Sequence, residues 1–459
     1  HSRESGNLYR FQIKFGMTKV ILLLILLLAS FFRLYGLNWD QGQHLHPDER
    51  FLTMVVSAMK IPKYFLDYLN PKVSTMNPYN LNFGFFVYGT FPLYLTRIIG
   101  GILNQIDYWN VHFVGRILSA IFDIGTVLLL FKVGKKIFNE KVGLLAAFLY
   151  SIMVLPIQLS HFFAVDTFLN FFIVLSFYLL VLLISQYPPP ALLRNAKRAG
   201  NILISSLLGV SFGLALACKI SALYFAPIIG LGYLFLLLKS LKKLKVLKLL
   251  ISGAIFVFIS LFVFRLAQPS AFSSGNFIDW QPNPQLIKNL NELKSFNSFD
   301  SWFPPAVQWH SAKPIIFPLK NMVLWGLGLP LGIISIFSVG YTIVILLSCY
   351  LDKVKRKNSQ LDNLIILDLI ILWILGLFTY QGIQFCTSMR YFLPIYPSLA
   401  IISATFLAEL NHVICKKFPK CTLYILHCTL YISILIYPIS FLSIYSRPIT
   451  RVTASKWIY

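Results

Sequence analysis

The chain has 459 residues, of which 57% are hydrophobic and 12% charged, with a mean hydropathy of +0.72. An ordinary soluble domain carries about 25% charged residues, so this composition excludes a soluble multidomain protein and indicates an integral membrane protein with many spans. The net charge of +24 does not point to nucleic acid, because no basic domain stands apart from the apolar runs and an excess of Lys and Arg is what orientation in a membrane demands.

Residues 1–16 are polar and unpatterned, and a natural start at Met17-Thr18-Lys19 precedes a run of aliphatics. The segment 1–16 is therefore read as upstream sequence outside the fold. The apolar run from Val20 to Leu37 has no small-residue cleavage site after it, so it reads as a retained first helix rather than a signal peptide. Crossing the hydrocarbon takes about 20 mainly apolar residues. By that measure the expected spans are 18–37, 112–132, 142–160, 167–185, 201–217, 220–238, 249–266, 321–349, 364–384, 392–410 and 422–444. The fold class is thus an all-α polytopic membrane protein with about eleven transmembrane helices. A further apolar stretch, Phe83 to Leu103, is interrupted by Gly84, Gly89, Pro92 and Arg97 and reads as an interfacial or partly re-entrant helix.

Charge fixes the expected orientation. With the N-terminus inside, the segments Lys132–Lys141, Arg194–Arg198, Lys239–Lys248, Lys353–Lys357 and Lys416–Lys420 all fall on the cytoplasmic side, as the positive-inside rule asks. The outer segments 38–111 and 265–320 are long and rich in Pro, Asn, Trp and Tyr, which suits short helices at the interface. The transmembrane domain is expected over 17–444. Residues 445–459 read as the start of an extracytoplasmic C-terminal domain, and the chain is expected to be a piece of a longer protein. The six cysteines show no metal-like or paired spacing apart from Cys415 and Cys421 on one inner loop, and no Asn-x-Ser/Thr sequon occurs.

The chemistry-bearing residues gather on the outer side. His46-Pro47-Asp48-Glu49-Arg50 follows the first span. Pro47 suits a first helical turn, where Asp48 and Glu49 would simply complement the helix dipole; with His44 and His46 beside them, they also make a cluster fit for proton transfer or a metal. Ser160-His161-Phe162-Phe163-Ala164-Val165-Asp166 forms an outer hairpin in which Asp166 either caps the next span or serves a site. Lys219, Arg265 and Arg390 are cations on the outer side that orientation does not require. They could hold a phosphate at the membrane surface, or snorkel to water. Arg116 and Asp123 share a helical face and read as ion-pair partners for neighbouring helices; Asp368 sits near the inner end of its span.

Five segments in order carry a family resemblance: Leu45-His46-Pro47-Asp48-Glu49, Ser160 to Thr167, Gly213 to Lys219, Gln268-Pro269-Ser270-Ala271-Phe272, and Met389-Arg390-Tyr391-Phe392-Leu393-Pro394-Ile395-Tyr396-Pro397. Together they resemble the C-class (GT-C) membrane glycosyltransferases, in the branch of protein O-mannosyltransferases and lipid A aminoarabinose transferases. The resemblance implies the GT-C fold and an extracytoplasmic cavity at the cell membrane where a polyprenyl-phosphate sugar meets a protein, lipid or glycan acceptor. It implies catalytic acids at Asp48 and Glu49, substrate contacts at His161, Asp166, Lys219, Arg390 and Tyr391, and in some members a divalent metal, for which His46 and Asp48 are the candidates. The rival reading is a transporter or lipid-linked glycan flippase, which would be expected to show internal repeats and polar residues at mid-membrane. A glycan polymerase or ligase is chemically close but would lack this ordered set of segments. An oligosaccharyltransferase catalytic subunit is expected to carry a Trp-Trp-Asp pattern in its C-terminal domain; none occurs in this sequence, in which only the start of such a domain is expected.

Overall fold

The computed structural model describes residues 2–186, 194–240, 243–351, 358–417 and 419–459. Among these residues the regular structure is helical, and the only β feature is an isolated bridge between Phe272 and Pro282. In chain order the helices are α1 (Ser2–Leu34), α2 (Pro47–Ala58), α3 (Phe65–Leu69), α4 (Phe91–Ile102), α5 (Val111–Ile137), α6 (Glu140–Ser151), α7 (Val154–Ser160), α8 (Asp166–Gln186) and α9 (Arg194–Cys218). They continue as α10 (Ala226–Lys239), α11 (Lys243–Ala267), α12 (Pro284–Ser295), α13 (Ile316–Asn321), α14 (Leu329–Leu351), α15 (Asn358–Gly382), α16 (Tyr396–Lys417), α17 (Lys420–Leu442) and α18 (Thr450–Ile458).

Ten segments among the described residues are long and apolar enough to cross a membrane, or eleven when the bent pair α6–α7 counts as one. The chain is a multi-pass membrane protein. Each span expected from the sequence has its counterpart. Helix α4, at 12 residues, rises about 18 Å, too little to cross about 30 Å of hydrocarbon, so the stretch before α5 does not span. The expected inner loop 353–357 lies outside the described residues, as do 241–242 and 418.

Two spans differ from the uniform helices expected. Residues 142–160 bend by 60° between α6 and α7. Pro156 lacks the N–H that would bond Ile152, and Met153 is extended. Arg33 reaches carbonyls at the bend, donating from Nη1 to Ser151 O (2.9 Å) and from Nη2 to Tyr150 O (3.4 Å), which also accepts the Met153 N–H (3.2 Å). Its Nε also donates to Asp123 (2.6 Å), whose other oxygen accepts from Tyr150 Oη (2.5 Å). A buried arginine thus staples α1, α5 and the bend. The second exception is 321–349, where Gly328 adopts φ +84° and the helix restarts at Leu329. Behind it, α13 and a π turn over Met322–Gly326 lead in from the outer segment.

Helices α8 and α16 lie at the centre, each with 78% of its spanning window buried, while α1 and α11 are peripheral at 22% and 17%. Lipid tails give apolar helices no hydrophobic reason to associate, so packing and interhelical hydroxyl contacts carry the assembly. Ser205 contacts Ser252 (2.5 Å) and Tyr233 (2.8 Å) across α9, α11 and α10. Ser335 and Ser338 each reach Ser403 at 3.2 Å, joining α14 to α16. This rigid bundle presents the α2 N-terminus, the α7–α8 loop, the α9 C-terminus and the turn before α16 at one end. Ion pairs Lys135–Glu140 and Lys239–Asp362 occupy the other.

Candidate active site

The loop between α1 and α2 is folded around Asp40, whose carboxylate accepts the N–H groups of Gly42 (3.3 Å) and Leu45 (3.2 Å). It delivers His46 to the N-cap of α2, where Nδ1 accepts the N–H of Glu49 (3.3 Å) and the ring stacks on Phe162 at 4.3 Å. Burial, reinforced by Arg390 and Arg116 against the opposing charge of Glu49 and Asp166, lowers the His46 pKa to about 4. The cap therefore holds with a neutral imidazole.

Asp48 and Glu49, adjacent in sequence, face different surroundings. Successive residues on a helix point about 100° apart. Asp48, 19% exposed, is ion-paired with Arg390 and accepts from Tyr88 Oη (3.1 Å). Glu49 is fully buried. Arg116 grips it in a bidentate fork, Nε to Oε2 at 2.8 Å and Nη2 to Oε1, and Phe163 N–H adds a third donor at 2.7 Å. Arg116 also pairs with Asp40 (3.0 Å) and donates to Leu37 O. The α7–α8 loop reaches this network because residue 115 is glycine: a Cβ there would lie 2.2 Å from Phe163 Cγ. The ion-pair expectation for Arg116 and Asp123 meets this outcome, with partners drawn from the α1–α2 loop and α2 for Arg116 and from α1 for Asp123.

Asp166 heads α8 and pairs with Lys219 (2.9 Å). Lys219 stands in extended conformation between α9 and the 3-10 turn Ile220–Phe225. Burial opposes its charge, but Asp166 and Tyr391 outweigh that and raise its pKa. Arg390 and Tyr391 come from the 3-10 turn Met389–Ile395, anchored by Trp373 Nε1 donating to Pro394 O (2.9 Å). The Tyr391 ring is a shared platform: Lys219 Nζ lies 5.0 Å and the Arg390 guanidinium 5.5 Å from its centre. Asp48, Arg390, Tyr391, Lys219 and Asp166 therefore form one continuous cluster at one end of the bundle.

Tyr88 joins this cluster without any warning in the sequence. Its segment was legible only as interfacial, and no periodicity marks the tyrosine. Position comes from long-range contacts: Gly89 N–H donates to Cys218 O (3.0 Å), and Asn289 of α12 donates to Gly84 O (2.9 Å). A Cβ at Gly89 would sit 2.0 Å from Ala217 O. Burial, with the charge of Asp166 adding to it, raises the Tyr88 pKa, so its hydroxyl is a donor to Asp48. Val87, Gly89 and Ile220, the sequence neighbours of Tyr88 and Lys219, line an apolar cavity of about 280 Å³ together with Phe264 and Phe272 among others.

Two expected site residues lie elsewhere. His161 is fully buried, with ring nitrogens 2.8 Å from the carbonyls of Ile157 and Tyr35 and its ring stacked on Tyr445 at 3.8 Å. Glu49 is occupied as described. Arg265 folds the segment that follows α11, donating to Ser274 O (2.6 Å) and Asn276 O (2.7 Å). Among the described residues no group of three or more His, Cys, Asp or Glu is arranged for a metal ion. Of the pair His46 and Asp48, the first spends Nδ1 on its cap and the second faces a guanidinium. These residues do not fit a metal.

Residues 94–264, which include Arg116, Asp166 and Lys219, match the family model described as dolichyl-phosphate-mannose-protein mannosyltransferase. No curated protein matches the chain in sequence. The fold is shared with the Archaeoglobus fulgidus oligosaccharyltransferase AglB in complex with an inhibitory peptide and a dolichol-phosphate (TM-score 0.57, 14% identity, 94% of this chain and 56% of that one). It is shared too with ArnT from Cupriavidus metallidurans, in the apo state (0.54, 12%, 94% and 76%) and bound to undecaprenyl phosphate (0.50, 12%, 94% and 75%). The chain thus spans little more than half the length of the archaeal enzyme. It shares its fold with the archaeal oligosaccharyltransferase and with ArnT, and over residues 94–264 it is similar to the dolichyl-phosphate-mannose-protein mannosyltransferase family.

Proposed function

We propose that the chain transfers a hexose or pentose from a polyprenyl-phosphate donor to a hydroxyl or similar group of a protein, lipid or glycan acceptor, inverting the anomeric centre, on the extracytoplasmic face of the cell membrane. The observation that carries this reading is the convergence of one partly exposed carboxylate, Asp48, with two cations, Arg390 and Lys219, around Tyr391. The carriers named with the ArnT and AglB structures, undecaprenyl phosphate and dolichol-phosphate, support a lipid phosphate as the leaving group.

In the reaction, the bond from the anomeric carbon to the phosphate oxygen breaks and its electron pair leaves with the phosphate. Arg390 and Lys219 stabilise that growing negative charge, a task for preorganised cations. The acceptor oxygen forms the new bond on the opposite face and gives its proton to Asp48. Asp166 holds Lys219, and the apolar cavity lined by Val87, Gly89 and Ile220 suits the first isoprene units of the carrier. We assign Glu49 and His161 to positioning: Glu49 fixes the first turn of α2 against α5, and His161 ties α7 to the end of α1.

Transfer of radiolabelled sugar from a polyprenyl-phosphate sugar, using folded protein in detergent, tests the reading. Asp48→Asn should lower turnover by about 10²–10⁴-fold; turnover near that of the parent would refute the assignment. A flippase would move the lipid across vesicles with the sugar still attached.

A further inference from the structure

The two cations assigned to the donor phosphate have partners within the protein: Lys219 is paired with Asp166 at 2.9 Å, and Arg390 with Asp48. The second pairing joins the proposed general base directly to the group meant for the donor. Two further details bear on it. Arg390 Nε is buried without a hydrogen-bond partner, so the guanidinium has a donor left for an incoming oxygen. Asp48 has a second anchor, because Tyr88 Oη donates to Oδ1 at 3.1 Å while Arg390 contacts Oδ2. Losing the arginine therefore need not release the carboxylate.

We infer that the donor phosphate and Asp48 compete for Arg390, so that donor binding draws the guanidinium off the carboxylate and uncovers the base, which Tyr88 holds in place. The inference rests on the transferase reading above and adds an order to it. A carboxylate beside a guanidinium is stabilised as the anion and is a poor proton acceptor. A phosphate oxygen, which accepts charge-assisted hydrogen bonds from a guanidinium as a carboxylate does, removes that stabilisation only when a sugar is present to react. The cost is donor affinity, since the lipid must displace an internal anion. Once the acceptor proton has passed to Asp48 and on to water, the ionised carboxylate reclaims Arg390 and helps expel the spent lipid phosphate.

The test is a double-mutant cycle read by binding of farnesyl phosphate, a short prenyl phosphate, to the detergent-solubilised protein. Asp48→Asn removes the competitor and should tighten binding about tenfold; with Arg390→Gln already in place it should change binding less than about twofold. An equal gain in both backgrounds would mean a general charge effect and overturn the exchange, as would no gain in the parent. Tyr88→Phe supplies an independent reading: turnover falls about tenfold while farnesyl phosphate affinity stays within about twofold. Unchanged turnover in that variant removes Tyr88 from the device. The two readings fail separately: an active Asp48→Asn enzyme sinks the base assignment, whereas an inactive one with no coupling to Arg390 sinks the exchange alone.

Discussion

Asp48 and Glu49 differ by one position, and replacing each should separate stability from catalysis. Glu49→Ala removes the acceptor of two guanidinium N–H groups of Arg116 and of the Phe163 N–H. Arg116 keeps Asp40 at 3.0 Å, so its charge is not wholly orphaned, but the buried Phe163 N–H loses its partner at a cost of about 1–3 kcal/mol. Adding the loss of one side of a buried ion pair brings the total to about 3–5 kcal/mol. Glu49→Gln keeps one oxygen and sets an amide N–H₂ against donors, for about 1–3 kcal/mol. The assay pairs thermal or denaturant unfolding in detergent with sugar transfer normalised to folded protein. Both variants should lose stability, and folded Glu49→Gln should keep turnover within about tenfold of the parent, against the 10²–10⁴-fold loss for Asp48→Asn. A Glu49→Gln protein as stable as the parent and as inactive as Asp48→Asn would refute the division of roles and put Glu49 at the chemistry.

Arg390→Ala should lower kcat/KM for the donor lipid by about 10–100-fold through loss of a charge-assisted contact, and Lys should rescue it incompletely; a change confined to the acceptor KM would move Arg390 out of the donor site. Gly115→Ala brings a methyl to 2.2 Å from the Phe163 ring and should destabilise by about 1–3 kcal/mol, seen as a lower unfolding midpoint; an unchanged midpoint counts against the packing described. His46 titrates near 6.5 when unfolded and about 4 in the fold, so the unfolded chain takes up the proton first. Its contribution to stability is full above about pH 6.5, declines as pH falls and is lost by about pH 4. His46→Asn, which keeps an N-cap acceptor, should flatten that acid limb, and an unaltered limb would contradict it.

Much of the architecture is legible in the sequence because each span must satisfy its backbone internally and be apolar over a set length. Departures occur where one residue breaks that rule: Pro156 bends α6–α7, and Gly328 separates the π turn from α14. The outer segments with Asp48, Asp166, Lys219, Arg390 and Tyr391 could be singled out because charges at the ends of apolar helices are costly and conspicuous. Their detailed partners could not. Glu49 and Asp48 look equivalent as a string, and His161 looks as available as Asp166, yet both Glu49 and His161 are buried, the first held by Arg116 and the Phe163 N–H, the second between the carbonyls of Ile157 and Tyr35.

The sequence by itself determined how many helices cross, roughly where they begin and end, and which loops carry unexplained charge, since these follow from local hydropathy and spacing. Only the tertiary structure decided that Tyr88 supports Asp48, that Arg116 holds Glu49 rather than Asp123, and that Arg33 closes the bend in α6–α7. The physical reason is range. Transfer into lipid is priced segment by segment, whereas a hydrogen bond between residues 40 or 67 positions apart depends on how the whole bundle packs.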